Sequence, residues 1–291
     1  MDAFLASVVS IAFHGLAYGM ILYAISVGLS ITMGLMGFVN LAHGVFAMAG
    51  GYLMLTFMTW LGLPWLPALV LACVAVAAAS MVLERLLYAR LYAASELEQV
   101  LFTIGLIFVA VALARMAYGP LPQAAPLPEY MKGQTDVFGR SFPTYRVVVI
   151  ASSAVLIAVL WIGLERTRWG AMVRAAVDNR AMAQAIGIHT GRLFTLTFAL
   201  GSGLAALGGA LGADLIAMTP TYPFEQLVYF LIVVSIGGLG TLRGPFLGAL
   251  LIGIGDTACK YWVPEFGAFF VFVATMAILL WRPQGLLGRA S

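Results

Sequence analysis

The chain has 291 residues, of which 63% are apolar and only 9% charged, with a net charge of +3. Soluble domains carry about a quarter charged residues, so this composition excludes a water-exposed globule and points to a protein covered by lipid. The fifteen Lys and Arg residues lie between apolar runs instead of forming a basic stripe, which argues against a nucleic-acid partner.

Spanning a hydrocarbon core of about 30 Å takes roughly 20 helical residues. No Asp, Glu, Lys or Arg occurs between Asp2 and Glu84, which leaves room for three spans. Breaks are predicted in the Gly-rich stretch Gly34 to Asn40 and at Gly62 to Pro67, where Pro64 and Pro67 oppose continued helix. Further charge-free runs follow at 99–114, 147–164, 193–213, 226–242 and 266–281, and 244–255 reaches span length if extended to 262. The reading is an all-α polytopic membrane domain over 1–291 with about eight spans. Seven or nine are allowed, because 225–262 can make two short spans or a re-entrant pair. The start Met1-Asp2-Ala3 lacks a basic n-region, so the first apolar stretch is expected to be a span and not a cleaved signal.

Orientation follows the Lys and Arg residues. Segment 165–192 holds Arg166, Arg168, Arg174, Arg180 and Arg192, the 84–98 loop adds Arg85 and Arg90, and the tail adds Arg282 and Arg289. These segments are expected in the cytoplasm, and 119–145, with only Lys132 and Arg140, outside. The C-terminus is then inside. The N-terminus is outside for nine spans, or for seven with a re-entrant pair, and inside for eight.

Cys73 and Cys259 sit in apolar runs without metal-ligand spacing and read as small buried hydrophobes. In 193–213, Gly201, Ala205, Gly209 and Ala213 recur every four residues, the small-xxx-small pattern of tightly packed membrane helices.

Three segments carry functional promise. In 34–51, Asn40, Gly44, Ala47 and Gly51 share a helical face with His43 beside them, and the glycines make an unbroken helix costly. Non-helical backbone at membrane depth survives only inside protein or along a wet cavity. Asn40 and His43 therefore either line a pathway or hydrogen-bond a neighbouring helix. A second break runs from Gly237 through Gly240, Arg243 and Gly244 to Gly248. Aligned on Gly44 and Gly244, the two segments resemble each other weakly, and interrupted hydrophobic segments in both halves point to a translocation site.

The third segment, 170–192, places Met172, Ala175, Ala176, Asn179, Ala183 and Ile186 on one helical face, with Arg174, Asp178 and Arg180 off it and Gly187 at the end. Arg174 and Asp178 are spaced to pair. The small, flat face fits a groove on a partner protein better than a lipid surface. The chain holds no Gly-x-x-x-x-Gly-Lys-Ser/Thr loop, no His-Glu-x-x-His and no Gly-x-Ser-x-Gly, so ATP binding of that kind and hydrolytic chemistry are not expected on it. Asp214 and Asp256 are expected near span ends, as snorkelling or capping residues.

The stretch GLMGFVNLAHGVFAMAGGYL resembles the Asn-Phe/Leu-Ala-His-Gly signature of the permeases of branched-chain amino acid importers. GAMVRAAVDNRAMAQAIGIHTGRLFTLTFALGSGLAALGGAL resembles their coupling loop and the span after it, and IGGLGTLRGPFLGALLIG their Gly-rich segment. The resemblance implies a fold akin to vitamin B12 and ribose importer permeases. It also implies a second related permease chain (a heterodimer), two ATPase subunits that carry ATP and magnesium, an outside solute-binding protein, and an inner-membrane location. On that basis Asn40, His43, Gly44, Gly240 and Gly244 would lie near the translocation path. Arg174, Ala176, Asp178, Asn179 and Gly187 would meet an ATPase, and Gly201, Ala205 and Gly209 would pack helices. Members that handle amino acids often carry Glu after His-Gly, where this chain has Val45, so urea, short amides and aromatic carboxylates join amino acids as possible cargo. The alternative class is a stand-alone secondary transporter or channel, which neighbouring genes for ATPases and a binding protein would exclude.

Overall fold

Helix α1 (Asp2–Met36) opens the chain, and its 35 residues extend about 50 Å at 1.5 Å per residue, longer than the bilayer core. The computed structural model describes residues 2–92, 94–137, 139–238 and 240–288. After a break at 37–42 come α2 (His43–Thr59) and α3 (Trp65–Leu86), with Pro64 capping α3 and Pro67 in its first turn, where a missing N–H costs nothing. A capping box starts α4 (Glu96–Tyr118): the Ser95 amide donates to the Glu98 carboxylate at 2.8 Å and the Glu98 amide donates to Ser95 Oγ. A small hairpin follows, β1 (Gln134–Val137) against β2 (Arg140–Pro143), antiparallel with Gln134 opposite Pro143. Then come α5 (Thr144–Glu165), the short α6 (Arg168–Asp178) and α7 (Arg180–Ala185), α8 (Thr190–Gly212), α9 (Tyr222–Gly237), α10 (Arg243–Trp262) and α11 (Gly267–Trp281).

Five helices, α1, α3, α4, α5 and α8, are long and apolar enough to cross a membrane, and the 222–237 and 269–281 helices are shorter apolar ones. Contacts order their ends. Glycines of α1 meet α10 in antiparallel fashion: a Cβ on Gly15 would lie 2.6 Å from Ile254 Cα, and one on Gly19 2.8 Å from the Ala249 carbonyl oxygen. At one end of the bundle, Ser7 and Tyr261 hydroxyls bond at 3.2 Å, and Arg140 of the hairpin donates to the Ala6 carbonyl at 2.6 Å. At the other end, Gly34 abuts Gly240, and Arg243 pairs with Glu165 beside the arginine-rich segment. The N-terminus and the 119–143 segment therefore share one end, and 165–189 and 282–288 the other.

Among the described residues the chain has nine helices of 15 residues or more, α1 to α5 and α8 to α11. The expected range of seven to nine spans holds, and Ala6 and Ser7 fall at the end opposite the arginine-rich segment. Helices α2 and α9 have 16 or 17 residues, about 24–26 Å, and each starts beside the other inside the bundle: a Cβ on Gly44 would sit 3.1 Å from Pro223 Cα. Arg289 and Ser291 of the tail lie outside the described residues.

At the centre stands α8. Its Gly201 faces Gly28 and Thr32 of α1, Gly208 faces Ile25, and Gly209 abuts the backbone of Ala47 in α2, while Gly203 approaches Cys73 and Ala77 of α3. Ala205 and Ala213 are buried in the same stripe. Close backbone approach replaces the hydrophobic effect, which lipid does not supply between spans. Cys73 and Cys259 are half-buried free thiols.

Candidate functional site: two broken helices and the arginine-rich helix pair

The first break begins where α1 stops. Gly37 adopts φ +62, a left-handed conformation that a residue with a Cβ rarely takes, and its amide donates to the Met33 carbonyl at 2.9 Å to close the helix. The chain then turns back into the bundle, where Asn40 Oδ1 and His43 Nε2 find protein partners and Asn40 Nδ2 is buried without one among the described residues. The Tyr88 hydroxyl donates to Asn40 Oδ1 at 3.1 Å, and His43 Nε2 lies 3.0 Å from the Ile25 carbonyl oxygen. A carbonyl only accepts, so this imidazole carries its proton on Nε2. Asn40 is 2% and His43 1% exposed, so both are inside the fold and fasten the break to α1 and to the 3-10 turn Tyr88–Leu91. Val45 packs with Ala42 against Ile107 and Val111 of α4, an apolar site where a carboxylate would have no partner.

The second break, between α9 and α10, meets the last turns of α1. The Gly240 amide donates to the Ser30 carbonyl at 3.2 Å, and Ser30 Oγ donates to the Thr241 carbonyl at 3.2 Å. Gly240 has φ +73, and Gly34 of α1 lies against it so closely that a Cβ on Gly34 would overlap the Gly240 backbone. Gly244 begins α10 against Gly237 at the end of α9. The structure thus brings Gly240 against the end of α1 and Gly244 against the end of α9. It places Asn40, His43 and Gly44 deeper, where α2 and α9 start.

The arginine-rich segment folds as two helices. One continuous helix was expected, but Asn179 leaves helical geometry at φ −156, ψ 99, and its side chain caps α7 by accepting the Met182 amide at 3.0 Å. The expected shared face does not form across that corner. Ala176 and Ala183, 3% and 1% exposed, face this chain's own body, whereas Met172, Val177, Met182 and Ile186 are exposed. Ala176 is therefore corrected from a docking face to the interior. Arg174 donates to the Leu164 carbonyl at the end of α5, and Gly187 ends α7 with φ +90. Val177 lies near Gly240, so α6 sits against the second break.

An aromatic network missed in the sequence connects these parts. Arg180 of α7 lies over the Phe194 ring at 4.5 Å, Phe194 meets Tyr92 edge-on at 5.7 Å, and Tyr92 meets Phe38 of the first break at 6.0 Å. Glu84, 2% exposed, anchors this network by accepting from the Tyr92 hydroxyl and, at 2.8 Å, from Thr195 Oγ1. A buried carboxylate at the end of an apolar run was the available signal; its partners, in two other elements, were not readable. Asp256 is likewise no helix cap: it sits within α10, 2% exposed, with Oδ2 2.7 Å from Lys260 Nζ. Asp214 follows α8 at its end, and burial raises its pKa against the opposing pull of Arg146.

Five helices long and apolar enough to cross a membrane, packed around the two breaks, are those of a multi-pass membrane protein. The family described as "Branched-chain amino acid transport system / permease component" matches residues 11–281, and the chain belongs to that family. It is 25% identical to the Pseudomonas aeruginosa "High-affinity branched-chain amino acid transport system permease protein BraD", over 95% of this chain and 94% of that one. It is 26% identical, over the same shares, to the Escherichia coli K12 permease protein LivH of the same description. Among solved structures, "PsaBC from Streptococcus pneumoniae in complex with Fab" matches with a TM-score of 0.52 at 10% identity, covering 92% of this chain and 88% of that chain, a likeness of fold.

Proposed function

We propose that this chain is one of two related transmembrane subunits of an ATP-driven importer for branched-chain amino acids or a similar small solute. ATP is hydrolysed on two separate ATPase subunits, and an outside solute-binding protein delivers the cargo. The observation that carries this reading is the exposed apolar surface of the arginine-rich end. Met182 and Ile186 are 61% and 68% exposed on a short capped helix outside the five long spans. Large aliphatic side chains held out on a rigid corner fit a groove on a partner protein. Through Val177 against Gly240 and Arg180 over Phe194, a displacement of that corner would reach both breaks.

The test is Ile186→Asp and Met182→Asp in the full complex. Exposed residues cost the isolated chain within about 0.5 kcal/mol when replaced, whereas a carboxylate buried at a docked interface without a partner costs several kcal/mol. The variants should insert and fold normally but lose copurifying ATPase subunits. Full retention of the ATPases would refute the docking role.

A further inference from the structure

Because α9 starts only at Tyr222, beside Gly44, it fills one half of the bundle. In the other half, towards the hairpin end, a cavity of about 420 Å³ opens between α1, α5, α9, α10 and the α8–α9 connection. That volume lies in the range of small-molecule sites, about 300–1,000 Å³. Its lining is unlike the rest of this apolar chain: Arg146, Asp256 and Lys260 bring charges, and His14, Tyr18 and Gln226 bring polar groups.

Asp256 is the decisive residue. Its side chain is 3% exposed; Oδ2 is bound by Lys260, but Oδ1 is buried without a hydrogen-bond partner among the described residues. His14 Nδ1 and Gln226 Oε1, on the same lining, are orphaned in the same way. A buried carboxylate oxygen left unpaired costs a large desolvation penalty, which a bound donor would relieve. Arg146, opposite in charge, is in none of the three close ion pairs found among the described residues and lies within electrostatic reach of Asp214 and His14. Leu215 and Ile216 supply an apolar wall beside these groups.

We infer that this cavity is a binding site for a zwitterionic amino acid, holding its ammonium on Asp256 Oδ1, its carboxylate on Arg146, and its aliphatic side chain against Leu215 and Ile216. Arg146 supplies the forked donor set that suits a carboxylate. The site stands at the hairpin end, which the arginine distribution places outside, so it is where cargo released by a binding protein would first be held. This rests on the amino-acid cargo proposed above. It also provides the ammonium partner that Val45 does not.

The experiment uses the assembled importer, with both permease chains and the ATPases, in lipid nanodiscs without binding protein. Tritiated leucine binding is measured for wild type, Asp256→Asn and Arg146→Gln. Two one-armed competitors are added: 4-methylpentanoate, which lacks the ammonium, and isopentylamine, which lacks the carboxylate. Expected are at least a tenfold loss of leucine affinity in each variant that still assembles, and competition at least tenfold weaker than leucine by either analogue. If wild-type proteoliposomes supplied with binding protein and ATP import leucine while both nanodisc variants bind it as tightly as wild type, the site is refuted and the importer reading stands. If those wild-type proteoliposomes import no leucine, the amino-acid cargo and this site fall together, and the importer reading stands for another small solute. A zwitterionic lipid headgroup offers the same chemistry. Occupancy by phosphatidylethanolamine, seen as leucine binding that is unchanged by the variants and blocked on replacing phosphatidylcholine nanodiscs with phosphatidylethanolamine ones, would also overturn the inference.

Discussion

Replacing Gly209 with Ala pits two opposing effects against each other in one helix. In a helix interior, Ala is favoured over Gly by about 0.5–1 kcal/mol. At Gly209, however, the new Cβ would overlap the carbonyl of Ala47, and Ala47 is 0% exposed, so α2 has nowhere to retreat. Overpacking of this kind costs typically about 1–3 kcal/mol, which at mid-range outweighs the propensity gain and leaves a net loss of up to about 2.5 kcal/mol. At roughly 2–4 °C per kcal/mol for a chain of this size, the apparent Tm should fall by up to about 10 °C. Gly105 in α4 is the matched control, because a Cβ there meets nothing within 4 Å. Gly105→Ala should hold or raise the Tm, and Gly209→Leu should lower the yield of assembled complex further than Gly209→Ala. Fluorescence-detected size-exclusion after heating reads all three. A Gly209→Ala chain as stable as Gly105→Ala would refute the packing of α8 on α2.

Other outcomes follow from the same contacts. Ala176→Glu puts a charge among buried side chains of this chain itself, so it should reduce folded yield by several kcal/mol of destabilisation, in contrast to the folded but ATPase-free Ile186→Asp; a well-folded Ala176→Glu chain would contradict its inward placement. His43→Ala removes the bond to the Ile25 carbonyl and leaves a cavity, and should lower the Tm by several degrees as well as impair transport; a variant that is unchanged in thermal stability would show that the bond contributes nothing. Phe38→Ala should leave ATPase subunits bound while uptake per ATP hydrolysed falls several-fold, since it removes the ring between Tyr88 and Tyr92; unchanged coupling would remove the aromatic network from the mechanism. Single cysteines at Lys132 and Arg180, in a chain lacking Cys73 and Cys259, should label from opposite sides of the membrane, and labelling from the same side would overturn the topology.

Much of this architecture could be read from punctuation. Gly62, Pro64 and Pro67 mark the α2–α3 turn, and Gly37 and Gly240 mark both broken segments, because these residues act on the local backbone. The depth at which α2 and α9 start was not legible, since it depends on Gly44 meeting Pro223 across the fold. The corner at Asn179 was missed for a related reason: the residue suits a helical face by spacing, yet its side chain competes for the Met182 amide and starts a new helix. The polar cavity was hidden because Arg146, Asp256 and His14 each look isolated in an apolar run and meet only when α1, α5 and α10 pack together.

The most direct test of the importer reading is uptake by vesicles that hold this chain, its second permease and the ATPase subunits. Tritiated leucine loaded on the binding protein is supplied outside, and ATP with magnesium is enclosed inside. The proposed function predicts accumulation against the gradient that needs both ATP and the binding protein, and that disappears with Ile186→Asp. Accumulation that proceeds without ATP, or that the Ile186→Asp vesicles retain in full, would contradict it.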